Sequence, residues 1–187
     1  MKFPALPVLE TSQLRLRRLS LDDAETYYRR LGSSEAVTRY MLWNPHKDIP
    51  ESVASIQKVL RRYEEGRCYR WGIALKDSDS LIGVVELLRF DEEAESCSFA
   101  YMIAEAFWGK GYGTEALHAA FDFAFTQMEV KSITADHMAE NIASGRVMEK
   151  AGMHMVRILP KKYEKNGRTY DAVEYSITAD EQSKTRR

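Results

Sequence analysis

The sequence predicts a mixed α/β (α+β) fold on a mostly antiparallel sheet. Three observations carry that expectation. Several apolar, β-prone runs are separated by short polar turns, as hairpins require. One long amphipathic helix separates two other runs, as a parallel crossover requires. The 187 residues suit one sizeable core. Residues 1–180 are therefore expected as a single domain, with 181–187 as a frayed tail.

In chain order, Leu14-Arg15-Leu16-Arg17-Arg18-Leu19 alternates apolar and basic residues, as a half-buried strand does. Ser20 then caps a helix with Asp22 and Asp23 in its first turn, and Gly32 ends it. An irregular stretch follows, in which Pro45 and Pro50 prevent a long helix; a second helix is expected from Pro50 to Gly66. Tyr69–Leu75 and Leu81–Leu88 flank the polar turn 76–80 and read as a hairpin, and Ser96–Ile103 supplies a fourth strand. Helical spacing of Leu117, Ala120, Phe121, Ala124, Phe125 and Met128 marks the crossover helix, which leads to a fifth strand over 131–138. Asn141 opens a further helix that stops at Gly152, and a last hairpin, 153–159 with 170–177, closes around Asn166-Gly167. That makes a sheet of six to seven strands.

Composition narrows the function. With 44% hydrophobic and 29% charged residues and a net charge of −1, nothing advertises a nucleic-acid or acidic-membrane partner. No apolar run approaches the ~20 residues of a membrane span, and 1–10 lacks a signal-peptide layout, so a cytoplasmic location is expected. Cys68 and Cys97 lie far apart, and His46, His118 and His154 show no ligand spacing, so no metal is expected.

The stretch with chemical content is Phe107-Trp108-Gly109-Lys110-Gly111-Tyr112-Gly113-Thr114-Glu115-Ala116. Alternate glycines let the backbone approach a ligand, and the following helix adds its positive dipole end, so an anionic phosphate is the natural guest. A P-loop is excluded because Lys110 precedes Gly111 and no Gly-Lys-Ser/Thr closes the turn. Gly111 to Ala116 does satisfy the dinucleotide-binding spacing, with Asp136 further on. Residues 104–108 nevertheless separate the glycines from their strand, and only one crossover is available.

The arrangement instead resembles the GNAT acyltransferases, whose pyrophosphate loop reads Gln/Arg-x-x-Gly-x-Gly/Ala between the fourth strand and the third helix. Gly111 and Gly113 match. Trp108 replaces the first residue, as in the branch that acetylates ribosomal-protein N-termini, where Trp-Gly-x-Gly-Tyr-x-Thr-Glu-Ala is usual. Asn141-Ile142-Ala143-Ser144 through Gly152 is similar to the family's Asn-x-x-Ser helix, and Leu14–Leu21 to its opening strand.

This resemblance implies a sheet splayed between strands four and five, with helices on both faces and acetyl-CoA in the opening. Tyr101, Met102 and Ile103 would offer backbone groups to the pantetheine arm, while Trp108, Gly109, Lys110, Gly111, Tyr112, Gly113 and Thr114 would hold the pyrophosphate. Asn141 and Ser144 would meet the thioester end. A primary amine would then attack the thioester directly. Many members protonate the thiolate with a tyrosine four residues before the glycine; here Met148 cannot donate, which leaves Ser144. For a general base the sequence offers Asp136, beside the cleft, and Glu86, which interrupts an apolar run and needs either a cleft or a partner arginine from the first strand. Tyr40 and Trp43 are expected to wall the acceptor pocket. The acceptor is expected to be a protein N-terminal α-amine; a small amine such as an antibiotic or polyamine, or a non-catalytic acyl-CoA-binding module, are the alternatives. A homodimer is compatible with the sequence.

Overall fold

The structure, a computed structural model, describes residues 1–66 and 68–185. Eight strands form one sheet in the order β1-β2-β3-β4-β5-β6-β8-β7. The strands are β1 (Leu9–Glu10), β2 (Leu14–Arg17), β3 (Tyr69–Leu75), β4 (Leu81–Asp91), β5 (Ser96–Ile103), β6 (Ser132–Met138), β7 (His154–Lys165) and β8 (Arg168–Thr178). Every neighbouring pair is antiparallel except β5 with β6. The extra strand relative to the six or seven expected is β1, where the leader folds back so that Leu9 pairs with Leu16.

The alternation in β2 works as its sequence dictates: Leu14 and Leu16 are fully buried, each worth about 1.5–3 kcal/mol of apolar burial. Arg17 emerges on the other face to pair with Asp23 (2.9 Å) and Asp79 (3.0 Å). After the Ser20/Asp23 capping box the expected helix is broken into α1 (Ala24–Tyr27) and a π-helical turn, Tyr28–Gly32. Two more helices precede the main sheet: α2 (Glu35–Thr38), within the stretch expected to be irregular, and α3 (Ile49–Glu64), capped by Asp48.

Two cores result. On one face α1, α3 and the π turn bury Tyr27, Leu31, Ile56, Val59 and Tyr63 against Leu81 and Val84. On the other, α4 (Tyr112–Thr126) and α5 (Ile142–Lys150) bury Leu117, Phe121, Ala124 and Met148 against Trp71, Ile73, Val85 and Phe99. With both faces covered, β3 and β4 need the near-continuous apolar runs the sequence shows. The closing hairpin is longer than expected, because pairing continues through Tyr163–Tyr170 to Lys165–Arg168. The tail expected to fray from 181 instead forms α6 (Ala179–Thr185), where buried Gln182 donates to Asp122 (3.0 Å); positions 186–187 lie outside the described residues.

The functionally decisive feature is short. β5 and β6 pair only at Ser96–Ser132, Cys97–Ile133 and Ser98–Thr134, although β5 runs on to Ile103 and β6 to Met138. Beyond Ser98 the two strands separate, and the sheet opens between them.

Candidate active site

The opening is flanked by the N-termini of α4 and α5. Gly111, the residue before α4, has φ +85, a left-handed conformation that glycine adopts without a Cβ penalty. It makes no side-chain cap, so the first-turn N–H groups of α4 face outward with the positive end of the helix dipole. They border a cavity of ≈ 340 Å³, which Gly109, Gly111, Tyr112, Gly113 and Thr114 line together with Tyr101, Met102 and Ile103. A Cβ on Gly111 would meet nothing within 4 Å, which leaves the cradle open for an anion.

Trp108 and Lys110 each make contacts within the loop or with the strand end before it. The Trp108 indole lines the cavity and donates Nε1–H to the carbonyl of Ile103 (2.7 Å), pinning the loop to the end of β5 and occupying one of the expected backbone acceptors. Lys110 does not line the cavity; its ammonium lies 5.3 Å from the centre of the Phe107 ring. The cations that do line it are Arg146 and Lys150 of α5, which sequence reasoning missed. Their signal was present, since Ala143, Val147 and Lys150 form an i, i+4, i+7 stripe with Arg146 beside it.

A second cavity of ≈ 230 Å³ lies further along the opening. Tyr40, Met41, Tyr101, Asn141 and Ser144 line both cavities and therefore mark their junction. Asn141 caps α5 through its side-chain oxygen, which accepts from the Ser144 N–H (3.4 Å). That cap fixes the first turn of α5 and with it Ser144. Tyr101 OH in turn donates to Ser144 Oγ (3.3 Å), and burial pushes the phenol pKa up to about 12, against the lowering effect of that hydrogen bond. The Tyr101 side chain was another omission, because only its backbone had a role in the sequence reading. Met148, where many family members have tyrosine, is buried beneath the second cavity.

The two candidate bases separate sharply. Asp136 does line the second cavity, but its carboxylate accepts from Lys162 Nζ (2.5 Å) and from Tyr163 OH. Burial, and next the Asp136 carboxylate, push the Tyr163 phenol above its ordinary range. Glu86 lines neither cavity. It pairs with Arg62 of α3 (2.7 Å) and Arg70 of β3 (3.2 Å), which explains a charge within an apolar run without catalysis. The partner arginines come from those elements and not from the first strand. Of the acceptor-wall candidates, Tyr40 lines both cavities, whereas Trp43 lines neither and packs against His46 with ring centres 5.2 Å apart. Its carbonyl, with those of Thr38 and Arg39, receives the ammonium of Lys165. Among the described residues no group of three or more His, Cys, Asp or Glu is placed to hold a metal ion.

An anion cradle on one side of a serine–tyrosine junction and a room for a second reactant on the other suit group transfer from a phosphate-bearing donor. The family model of the acetyltransferase (GNAT) domain matches residues 13–154, and the chain belongs to that family. It is similar to the uncharacterized N-acetyltransferase YoaA of Bacillus subtilis, with 30% identity over 171 residues that cover 91% of this chain and 96% of that protein. It also resembles a spermidine N(1)-acetyltransferase of Vibrio cholerae at 25% identity, covering 86% and 90%. A solved structure of the microcin C7 self-immunity acetyltransferase MccE, in complex with acetyl-CoA and AMP, has the same fold: TM-score 0.80 at 22% identity, over 93% of this chain and 98% of that one. The protein is an N-acetyltransferase of the GNAT family.

Proposed function

We propose that the protein transfers an acetyl group from acetyl-CoA to an α-amine. The observation that carries this reading is the junction, where two cavities share Tyr101, Asn141 and Ser144 at the split between β5 and β6. The first-turn N–H groups of α4, with Arg146 and Lys150 across the cavity, would bind the pyrophosphate, and the edges of β5 beyond Ser98 would receive the pantetheine arm as an added strand. When bound, acetyl-CoA supplies a thioester already activated toward amines. Ser144 Oγ, with Tyr101 OH behind it, holds a proton at the junction.

The acids support an α-amine as the acceptor. Among the lining residues of the acceptor cavity Asp136 is the only carboxylate, and Lys162 and Tyr163 hold it. With an ammonium and a phenol already on it, this carboxylate has few lone pairs left to meet an incoming amine, and the acceptor must bring much of its own free-base fraction. An α-amine, with pKa about 8, does so; a lysine or polyamine nitrogen near 10.4 has less than roughly a two-hundredth of that fraction at neutral pH. The spermidine-acetylating relative favours a second reading, a polyamine acceptor, which the free-base argument disfavours.

The test is calorimetric titration with acetyl-CoA followed by mass spectrometry of peptide, amino-acid and polyamine acceptors. Binding with acetylation of α-amines is expected. No binding at millimolar acetyl-CoA would sink the donor assignment, and acetylation confined to polyamines would replace the acceptor assignment.

A further inference from the structure

Two charged side chains line the acceptor cavity, a carboxylate and a guanidinium, and only the carboxylate has an ion-pair partner among the described residues. Asp136, its one lining carboxylate among the described residues, is neutralised by Lys162. Arg89 lines the same cavity and has no ion pair or hydrogen bond with a described residue. Arg39 lines neither cavity; its guanidinium lies 5.4 Å from the centre of the ring of Tyr40, which lines both.

The backbone at Arg89 is unusual as well. Its φ is +52, a conformation that L residues other than Asn and Asp adopt rarely. It falls where β4 slips register against β5, between Leu88 and Asp91. Regular alternation would send Leu88 and Arg89 to opposite faces, yet both line this cavity. A bulge re-aims one side chain in this way, and here it directs a guanidinium beside the room where the acceptor would sit. That guanidinium is close enough to Tyr163 to oppose, electrostatically, the burial and the Asp136 charge that raise its phenol.

We propose that the acceptor amine carries a carboxylate, which Arg89 binds while the amine faces the Tyr101–Ser144 junction. The inference rests on the acetyltransferase reading of the site. Arginine offers a planar, two-pronged donor fork that matches a carboxylate and no part of a polycation. A free amino acid and a peptide with an acidic residue near its N-terminus share this chemistry.

Steady-state kinetics with acetyl-CoA and two acceptor pairs tests it, with rates compared per free-base amine because a free amino acid's α-amine is more basic than that of its amide. One pair is the peptide amide Ser-Glu-Ala against Ser-Gln-Ala; the other is serine against serinamide. In at least one pair the carboxylate acceptor should show a kcat/KM about tenfold higher, expressed in KM and shrinking as salt rises from about 0.05 to 0.5 M. The pair that shows it identifies the source of the carboxylate. Arg89→Met and Arg89→Gly should each collapse the ratio to within about twofold, and Arg89→Lys should keep part of it. Glycine suits the left-handed backbone, so lost folding cannot mimic lost recognition. Equal rates in both pairs, or a preference that survives Arg89→Gly, overturn the proposal. If no acceptor turns over, calorimetry of the CoA complex with the same pairs gives the decision, and equal affinities again overturn it. Failure to bind acetyl-CoA at all is a different result, since it removes the acetyltransferase reading itself and this proposal with it.

Discussion

Gly111→Ala separates backbone strain from ligand binding. The residue sits at φ +85, and an added Cβ would touch nothing within 4 Å, so the folded protein meets only the left-handed conformational cost of about 1–2 kcal/mol. For a chain of this length that is a fall in Tm of about 2–8 °C. Gly66, at φ +84 after α3 and equally free of neighbours, provides a control with the same strain and no place in either cavity. Both variants should therefore lose the same stability. Their CoA affinities should differ, because the Gly111 methyl projects into open space at the mouth of the anion cradle, where a phosphate would need close approach to the first-turn N–H groups. Loss of one or two charge-assisted hydrogen bonds, about 1.5–3 kcal/mol each, corresponds to at least a tenfold weaker Kd. Thermal denaturation and calorimetric titration with CoA read the two effects independently. If Gly111→Ala binds CoA as tightly as Gly66→Ala, the pyrophosphate does not sit at this helix terminus.

Three further outcomes follow from the same geometry. Ser144→Ala should lower kcat by about 10²-fold, the usual scale of acid–base assistance, and Tyr101→Phe by less; if Tyr101 acts through Ser144 the double variant is no slower than Ser144→Ala, whereas multiplied losses would show that the two act separately. Glu86→Gln should cost about 2–3 kcal/mol in chemical denaturation, since it leaves Arg62 and Arg70 without their carboxylate, while kcat stays within about twofold; a large fall in kcat would restore Glu86 as a catalytic candidate. Glu115 accepts hydrogen bonds from Thr11, Ser12 and Gln13, tying the leader to the first turn of α4. Burial works to raise its pKa, and those bonds outweigh it and hold the carboxyl below its ordinary range. A depressed carboxylate stabilises the fold above its unfolded pKa and loses that contribution as pH falls through the folded one. Glu115→Ala should therefore cost more at neutral pH than in strong acid, by about 1 kcal/mol once solvent screening of this partly exposed carboxylate is allowed for; a difference independent of pH would mean that the carboxylate charge contributes nothing.

What was legible in the sequence is local or periodic. The β2 alternation, the capping box at Ser20, the crossover helix and the Asn141 cap each depend on residues a few positions apart, and the structure has them where those patterns lie. The glycines announced the cradle because positive φ leaves a compositional mark. The partners of the charged residues were not legible for the opposite reason: they are distant in sequence. Glu86 meets Arg62 across 24 positions and Asp136 meets Lys162 across 26, and no pattern along the chain marks either pair. The π turn at Tyr28 and the bulge at Arg89 likewise arise from packing that overrides propensity. Register explains the consequence for Arg89. Read as a regular strand, β4 sends that side chain to the face opposite Leu88, and only the one-step slip between Leu88 and Asp91 lets both reach the acceptor cavity. A side chain that lines a cavity beside the candidate site can thus be absent from every sequence motif, because its placement lies in a change of strand register.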